Sequence, residues 1–430
     1  MKNKRIVWID LYKAVGFFFV LFGHLEIPEN FTVWVYSFHM PLFLLATGLT
    51  FNIEKTYRAN FKDYLSVRFK RLIVPYFWLQ MISLAILFLR RTVLGGSVPD
   101  LTDYLCGILI SNTQINQYSP GPALYYVVLL FFAEIAFWAV IKVAKGNKRN
   151  IFFVLFLLLP ISFINRGRSG PMHLFVVPVA MMIIFVGRML MDAYNDGLKE
   201  KLSALSPVKY SALCIALLAV GTLLAFLNGR SSLHTNKYGK DFAVYILCAL
   251  AMNVAIALIV MRVSERLPDK IQNMYVYVGQ STLFYLGAHS QIKNVFEQIG
   301  RRFTDIESWP FIIVTVFILY FLLIPLSKIT DRCFPFVVGK STVNPSARQK
   351  FGQIFMTFFA FAPVFYMTVF QISRTYLSAF ASTAMGTAVI YSAATVLWAV
   401  LCLVIREVAD RIAPVVYLIE KPKGKNDPVC

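Results

Sequence analysis

Long apolar runs separated by short charged segments dominate the pattern of hydrophobic and polar positions along the chain. A helix of about 20 mostly apolar residues can span the hydrocarbon core of a bilayer. The stretch 99–112, between two such runs, is expected to be a surface or re-entrant helix. The pattern therefore predicts an all-α, polytopic membrane helix bundle. Its twelve expected spans are residues 6–24, 32–51, 72–89, 123–141, 151–165, 172–190, 210–227, 242–261, 275–292, 310–327, 351–371 and 384–405.

The composition agrees with a membrane protein and argues against a water-soluble one. Of the 430 residues, 58% are hydrophobic and 15% are charged, whereas soluble proteins carry about 25% charged residues. The net charge is +20, but the basic residues lie in short groups between apolar runs, which argues against a nucleic-acid surface. The six cysteines form no Cys-x-x-Cys pair, so neither a disulfide framework nor a metal site is expected.

The distribution of basic residues predicts the orientation in the membrane. With the N-terminus inside, the inner segments hold 30 of the 42 Lys and Arg residues, the outer loops hold 11, and Lys13 lies within the first span. Basic residues are enriched on the cytoplasmic side of membrane proteins. We therefore expect a multi-pass protein of the inner (plasma) membrane with both termini in the cytoplasm.

The first expected span carries three ionisable side chains, Asp10, Lys13 and His24. Ionisable groups at membrane depth are costly and mark functional sites by default. Lys13 and His24 are eleven residues apart, so they share one helix face and lie about 16 Å apart along its axis. The alternative is an Asp10–Lys13 ion pair at the inner interface, with His24 facing the outer headgroups.

The second expected span contains His39 two residues before Pro41, and then Thr47-Gly48. A proline inside a spanning helix frees a backbone carbonyl, which neighbouring groups must satisfy. We therefore expect His39 to be structural or substrate-orienting, and not a nucleophile. Thr47-Gly48 has the alternative role of letting two helices approach closely.

Three ordered motifs occur within the first seventy or so residues. They are Trp8-Ile9-Asp10 with Lys13 and, after ten intervening residues, His24; Phe38-His39-Met40-Pro41-Leu42-Phe43 with Thr47-Gly48; and Arg68-Phe69-Lys70-Arg71-Leu72 with Pro75-Tyr76. Together they resemble the membrane-bound acyltransferase family 3, in particular its fucose 4-O-acetylase-like and exopolysaccharide O-acyltransferase branch.

Weaker similarities extend the resemblance over about residues 6–330, at Gly121–Tyr126, Asn228-Gly229, Asn236–Gly239 and Gly279–Thr282 leading to His289. The chain departs from the family in three ways. Lys13 stands where the family often has Arg, a Tyr replaces the Trp of the fourth-span motif, and a further helical pair follows the usual ten spans.

The resemblance implies an O-acyltransferase that moves an acyl group, most often acetyl and in some relatives succinyl, from cytoplasmic acyl-CoA to a sugar hydroxyl. A hydroxyl needs a base to remove its proton as it attacks, and histidine titrates near neutrality. His24 is the expected general base or transient acyl carrier. Lys13 and Asp10 would position the thioester arm or hold His24, and Arg68 and Arg71 would bind the donor phosphates. Acetyl-CoA or succinyl-CoA is a co-substrate, and no tightly bound cofactor is expected.

The acceptor side is less specific in the sequence. The outer loop 228–241, which includes His234, suits either sugar binding or a solvated turn. Glu134 is an intramembrane carboxylate that needs a partner, and His173 and His289 are either site members or interior histidines. The possible substrate-orienting residues are His39, Thr47, Glu134, His173, Asn228, Tyr238 and His289.

The expected organisation is an acyltransferase core at residues 1–330, a cytoplasmic linker at 331–350, an extra transmembrane pair at 351–410 and a cytoplasmic basic tail at 411–430. Expected partners are acyl-CoA, a polysaccharide or lipid-linked sugar acceptor, the lipid bilayer and proteins of polysaccharide synthesis or export. Nucleic acid is not among them.

Two other functions compete with this one. A secondary transporter also fits twelve spans, but transporters often show repeated halves, and the first-half motifs have no second copy here. A non-catalytic component of polysaccharide export is the other alternative. The presence of Lys13, His24, Arg68 and Arg71 argues against it.

Overall fold

A computed structural model describes residues 6–94 and 100–419 of the protein, and these residues are almost entirely helical. Lys2, Lys4 and Arg5, which entered the orientation count, lie outside the described residues, as does the tail from residue 420 onward. The helices of the N-terminal half are α1 (Val7–Gly23), α2 (Glu29–Tyr36), α3 (His39–Thr50), α4 (Ile53–Arg58), α5 (Phe61–Arg68), α6 (Val74–Leu94), α7 (Leu101–Ile110), α8 (Tyr125–Val143), α9 (Lys148–Ile164), α10 (Val177–Ala193) and α11 (Lys199–Ser203).

The C-terminal half is also helical, with one very short hairpin. Strands β1 (Ser231–Ser232) and β2 (Lys237–Tyr238) pair antiparallel, with Ser231 opposite Tyr238. The helices of this half are α12 (Pro207–Asn228), α13 (Phe242–Ser264), α14 (Asp269–Gln280), α15 (Thr282–Gly300), α16 (Trp309–Cys333), α17 (Ala347–Tyr376), α18 (Ser378–Ala381) and α19 (Ala384–Val416).

In the described part of the chain, nine helical stretches are long and apolar enough to cross a membrane. They are Glu29–Thr50, Phe61–Thr92, Pro122–Val143, Pro171–Ser203, Pro207–Asn228, Phe242–Ser264, Trp309–Cys333, Ala347–Ser373 and Met385–Cys402. The prediction of an all-α, polytopic membrane protein is therefore confirmed. The short helix α7 occupies the stretch that was expected to lie at the surface or to re-enter.

Three expected spans are not in this set of nine, for reasons of length. α1 and α9 have 17 residues each, which gives about 26 Å of helix against a hydrocarbon core of about 30 Å. The expected span 275–292 is divided between α14 and α15 at Ser281, whose φ and ψ of −101° and 11° depart from the helical values. A window of mean hydropathy does not detect such an interruption.

The chain forms two compact units. The first comprises the residues up to Leu65 together with Tyr125–Ile324, and the second comprises Ser66–Leu124 and the residues from Pro325 onward. Residues of the expected core, 1–330, therefore occur in both units. The boundaries expected at residues 331, 351 and 411 stay predictions.

In the first unit, α1 packs against α2, α3, α13, α14 and α15. Hydrogen bonds across this packing join distant parts of the chain. The Tyr12 hydroxyl of α1 donates to Asn253 Oδ1 of α13 over 2.9 Å, and Asn253 Nδ2 donates to the Phe38 carbonyl over 3.1 Å. All three residues are buried. The network fixes α1 against the junction of α2 and α3.

Helices α3 and α10 approach each other closely at two glycines. A Cβ atom on Gly48 would lie 2.1 Å from the Ile184 carbonyl oxygen, and one on Gly187 would lie 2.6 Å from the Leu45 carbonyl oxygen. Any larger side chain would force the backbones apart. Gly48 therefore has the packing role that the sequence offered as the alternative for Thr47-Gly48.

In the second unit, α6 packs against α17, and α17 packs against α19. Trp78 of α6 is 1% exposed and contacts the rings of Phe336, Phe361 and Tyr417, with centroid distances of 5.0, 5.8 and 5.9 Å. The expected extra helical pair thus shares a compact unit with α6.

We expect Gly48→Ala to lower the thermal stability of the purified protein, because its Cβ would meet backbone atoms that cannot rotate away. Overpacking of this kind costs about 1–3 kcal/mol of folding free energy. Gly23→Ala is the matched control, since its Cβ would meet no atom closer than 3.4 Å. Equal melting temperatures of the two variants in detergent would contradict the close approach of α3 and α10.

A histidine cluster as the candidate active site

All five histidines of the sequence lie in the first unit, on five different structural elements. His24 follows α1, His39 begins α3, and His289 lies in α15. His173 lies in the 3₁₀ turn Pro171–Val176, and His234 lies in the 3₁₀ turn Leu233–Thr235. The ring contacts described below group these residues around His24 and around Tyr125.

His24 and His289 form the closest pair around α1. Their ring centroids are 4.8 Å apart, with the planes inclined at 53°. His289 is completely buried and receives the edge of Phe17 at 5.9 Å, whereas His24 is only half-buried. His24 also interacts electrostatically with His39 and Lys293. The His24 imidazole therefore lies beside other polar side chains of the unit.

Backbone carbonyls fix the tautomers of His289 and His39. His289 Nδ1 lies 2.8 Å from the Tyr285 carbonyl oxygen, and His39 Nδ1 lies 2.8 Å from the Val35 carbonyl oxygen. A carbonyl only accepts hydrogen bonds, so in each neutral ring Nδ1 carries the proton and Nε2 is the acceptor. The Ser290 hydroxyl lies 3.3 Å from His289 Nε2 and can donate to it.

The junction between α2 and α3 places His39 beside the end of α1. Pro41 has no N–H to return to the Ser37 carbonyl, and the helix breaks there, with Phe38 at φ −138° and ψ −24°. Tyr36, at the end of α2, packs its ring 4.9 Å from that of His39, and its hydroxyl donates to the Gly23 carbonyl over 2.9 Å. The bond from His39 to the α2 backbone supports the structural role expected for it.

Asp10 and Lys13 form the ion pair that the sequence suggested. Lys13 Nζ lies 3.8 Å from Asp10 Oδ1, and the Asp10 side chain is 6% exposed. The Asp10 carbonyl packs so tightly on Gly279 of α14 that a Cβ there would lie 1.9 Å from it. Lys13 is about three helical turns before His24, about 16 Å along the helix axis. The two side chains are therefore too far apart to contact the same atom.

A second group of rings surrounds Tyr125, the first residue of α8. Its ring centroid is 4.8 Å from that of His173 and 4.5 Å from that of His234, and the two imidazoles are 5.0 Å apart. His173 is completely buried, whereas His234 is only half-buried. Burial lowers the pKa of His234 to about 4, so its imidazole is neutral at pH 7. His234 also interacts electrostatically with His24.

Asn228 and Tyr238, expected to orient substrate, hold the outer loop together. Asn228 Nδ2 donates to the Tyr238 carbonyl, and Asn228 Oδ1 accepts from the Asp241 backbone N–H, both over 2.8 Å. The Tyr238 hydroxyl donates to Asn236 Oδ1 over 2.6 Å, and burial raises the pKa of this phenol. Asn236 Nδ2 in turn reaches the Ser162 carbonyl at 2.9 Å. A sugar-binding role for Asn228 and Tyr238 stays a prediction.

Thr47 and Glu134 lie on the facing helices α3 and α8. The Thr47 hydroxyl donates to the Phe43 carbonyl over 2.9 Å, and the Phe43 ring lies 6.0 Å from that of Tyr126. Glu134 is 6% exposed and interacts electrostatically with Tyr126. The structure thus places Thr47, Tyr126 and Glu134 in one neighbourhood, whose role in substrate binding stays a prediction.

Arg68 and Arg71 belong to the second unit, where Arg68 directly precedes a π-helical turn, Phe69–Ile73, and Arg71 lies within it. Pro75 explains this turn, because it has no N–H to return to the Arg71 carbonyl. The Val74 N–H bonds to the Phe69 carbonyl, five residues earlier, where an α-helix would use the carbonyl four residues earlier. Gly339 covers the turn, and a Cβ there would lie 3.3 Å from the Arg71 carbonyl oxygen. Arg71 is exposed and Arg68 is half-buried, so both guanidinium groups sit on a locally widened helix.

The sequence did not single out Tyr36, Tyr125 or Lys293, which also belong to these groups. Lys293 lies four residues after His289 on α15, a spacing that puts both on one helix face, and it pairs with Glu297 over 3.1 Å. That spacing was the available signal for Lys293. Tyr125 lies in the Gly121–Tyr126 segment that carried part of the family resemblance, although no site role was expected for it. Tyr36 carries no sequence signal that indicates a site role.

Comparison with known proteins gives one match. A family model described as an acyltransferase domain matches residues 6–327. No match was found among curated proteins or among solved structures. The matched region contains both histidine groups and the Arg68–Arg71 turn.

Proposed function

The chain belongs to the acyltransferase domain family, whose model covers three quarters of it, and we propose that it O-acylates a sugar. It is a multi-pass membrane acyltransferase. We propose that the donor is cytoplasmic acyl-CoA, most often acetyl-CoA with succinyl-CoA as the other donor. The proposed acceptor is a hydroxyl of a cell-envelope or exopolysaccharide sugar. The motifs shared with the fucose 4-O-acetylase-like and exopolysaccharide branch support this choice of acceptor.

The observation that carries the proposal is the contact between His24 and His289 beside Tyr36 and His39. A half-buried imidazole among neutral rings suits a general base, because it can take a proton and share the resulting charge with a polar neighbour. His289 cannot easily take this role itself, because it is completely buried. We therefore assign His24 as the base and His289 as its positioning partner.

The proposed reaction is a direct transfer. The sugar hydroxyl oxygen attacks the thioester carbonyl carbon while His24 removes the hydroxyl proton. The new C–O bond forms, the C–S bond breaks, and the proton passes to the departing CoA thiolate. The products are an O-acyl sugar and free CoA, and the imidazole returns to its neutral state. The alternative role of His24 as a transient acyl carrier would leave a detectable acyl-enzyme.

The donor site is proposed on the cytoplasmic side. CoA carries phosphates, and guanidinium groups bind phosphate oxygens through paired charge-assisted hydrogen bonds. Arg68 and Arg71, on the widened turn, are the proposed phosphate ligands. Lys13 and Asp10, which lie on the helix that ends at His24, are proposed to contact the thioester arm. We propose that the protein lies in the plasma membrane with both termini in the cytoplasm. The proposed protein partners are proteins of polysaccharide synthesis or export.

We expect His24→Gln to abolish acyl transfer while the protein stays folded in the membrane, because the variant has no base. Loss of a general base lowers kcat by about 100- to 10,000-fold. The measurement is CoA release with acetyl-CoA and a de-O-acetylated surface polysaccharide, followed by mass spectrometry of the product. Lys199→Gln is the control, since Lys199 is exposed on α11.

Normal transfer by the His24→Gln variant would contradict the assigned base. An acetyl group recovered on His24 after incubation with the donor alone would show that His24 is an acyl carrier and not a general base. Solute uptake by vesicles that contain the wild-type protein, with no CoA release, would show that the protein is a transporter and not an acyltransferase.

The double variant Arg68→Gln/Arg71→Gln should raise KM for acetyl-CoA about 100-fold or more, because each of the two lost charge-assisted hydrogen bonds contributes about 1.5–3 kcal/mol. The KM for the polysaccharide should not change. The matched control is Arg58→Gln/Lys62→Gln, which removes two exposed charges from the same inner segment. Equal donor KM values for the two double variants would mean that Arg68 and Arg71 serve only membrane topology.

A further inference from the structure

The proposed reaction uses His24 and His289 and leaves the group formed by Tyr125, His173 and His234 without a role. These three rings come from three separate elements of the first unit and contact one another at centroid distances of 4.5–5.0 Å. Imidazoles are mostly exposed or intermediate in proteins. Two of them packed on one tyrosine, one completely buried, form an arrangement that ordinary apolar packing does not require.

The backbone that carries His173 is strained. Met172 and His173 both have positive φ, 53° and 58°, although neither is glycine. Such residues cost about 1–3 kcal/mol each and persist where the surrounding structure holds them, frequently at ligand-binding sites. Here the His173 N–H bonds to the Gly170 carbonyl, and the Ser162 hydroxyl bonds to the Phe175 carbonyl over 2.6 Å. These hydrogen bonds hold the strained turn, and the turn places the His173 ring against Tyr125.

The loop that carries His234 is held in place by side-chain hydrogen bonds of Asn228 and Asn236. Asn236, in the left-handed conformation at φ 56°, places its side-chain amide between the carbonyls of Ser162 and Asn165. Asn228 joins the two ends of the hairpin. These side chains use their polar groups inside the loop, whereas His234 turns its ring onto Tyr125 and keeps part of its surface exposed.

This group of rings interacts electrostatically with the proposed base and with its neighbour Tyr36. His234 interacts electrostatically with His24, and Tyr125 interacts electrostatically with Tyr36. The Tyr36 hydroxyl is bound to the carbonyl of Gly23, the residue before His24. A ligand held on the Tyr125 group would therefore have one end within the neighbourhood of His24.

We propose that the half-buried His234, held in place by the buried rings of Tyr125 and His173, forms the acceptor subsite, which binds a hydroxyl group of the sugar and presents another hydroxyl to His24. The inference rests on the proposed function and names the residue that recognises its acceptor. A neutral imidazole nitrogen accepts a hydrogen bond from a sugar hydroxyl. The low pKa of His234, about 4, keeps its imidazole neutral at pH 7.

The subsite predicts a separation between acceptor and donor kinetics. In the full-length protein, we expect His234→Asn to raise KM for the polysaccharide about 3- to 10-fold, the effect of one lost neutral hydrogen bond. We expect His173→Asn to raise the same KM, because it removes the buried ring that holds His234 in position. The KM for acetyl-CoA and the slow hydrolysis of acetyl-CoA without acceptor should not change. Asparagine is chosen at position 173 because it tolerates positive φ. The probe is surface polysaccharide of the producing cells, stripped of its esters with mild alkali.

The control variant is Lys237→Ala, which alters an exposed side chain of the same loop and should behave as wild type. Melting temperatures of all variants in detergent separate a binding effect from a misfolded loop. An unchanged polysaccharide KM in both histidine variants overturns the acceptor subsite. An equal rise in KM for both substrates also overturns it, because the group would then be structural.

A separate measurement distinguishes failure of this inference from failure of the proposed function. Binding of the stripped polysaccharide to the wild-type protein and to His234→Asn is measured without any donor. If wild type transfers no acyl group yet binds the polysaccharide more tightly than the variant does, the proposed function fails and the subsite stands. If wild type transfers normally and both proteins bind equally, the subsite alone fails.

Discussion

The contact between the His24 and His289 imidazoles is the interaction on which the proposed chemistry depends. Polar rings are costly in an apolar helical unit, so they persist only where neighbouring groups satisfy them. His289 meets this condition by donating Nδ1 to the Tyr285 carbonyl and by packing on Phe17. The half-buried His24 ring then has a fixed neighbour at 4.8 Å. Acyl transfer, if it proceeds by a general base, starts at this pair.

Interrupted helices create the geometry around that pair. The break before α3 places His39 and Tyr36 beside the end of α1, and Tyr36 closes the junction by bonding to the Gly23 carbonyl. The break at Ser281 separates α14, which packs on α1 near Asp10, from α15, which carries His289. In the second unit, Pro75 widens the helix at Arg68 and Arg71. Each interruption lies on a chain segment that carries a residue of the proposed site.

Local patterns in the sequence predicted local features well. The apolar runs gave the helices, and the three-residue spacing of Asp10 and Lys13 gave their ion pair. The proline two residues after His39 indicated an interrupted helix, and the His39 imidazole bonds to the Val35 carbonyl beside that interruption. The bounds of α1 and α9 lie within three residues of the expected spans 6–24 and 151–165. The break at Ser281 was missed, since hydropathy averages over single-residue geometry.

Features that depend on tertiary packing could not be read from the sequence. His24 and His289 are far apart in the chain, and no periodicity links them. The sequence grouped His234 with Asn228 and Tyr238 because they share a loop, yet the folded loop turns His234 onto Tyr125 and uses the other two for its own hydrogen bonds. The folded structure separates them by burial, since Asn228 and Tyr238 are buried and His234 is only half-buried.

A double-variant cycle on His24 and His289 tests the central claim most directly. The measurement is kcat/KM for acetyl transfer by wild type, His24→Gln, His289→Gln and the double variant. Residues that act as one unit have non-additive effects, so we expect the double variant to be no less active than His24→Gln alone. Losses that multiply across the two sites, or a His289→Gln variant with wild-type activity, would show that the two imidazoles do not work together.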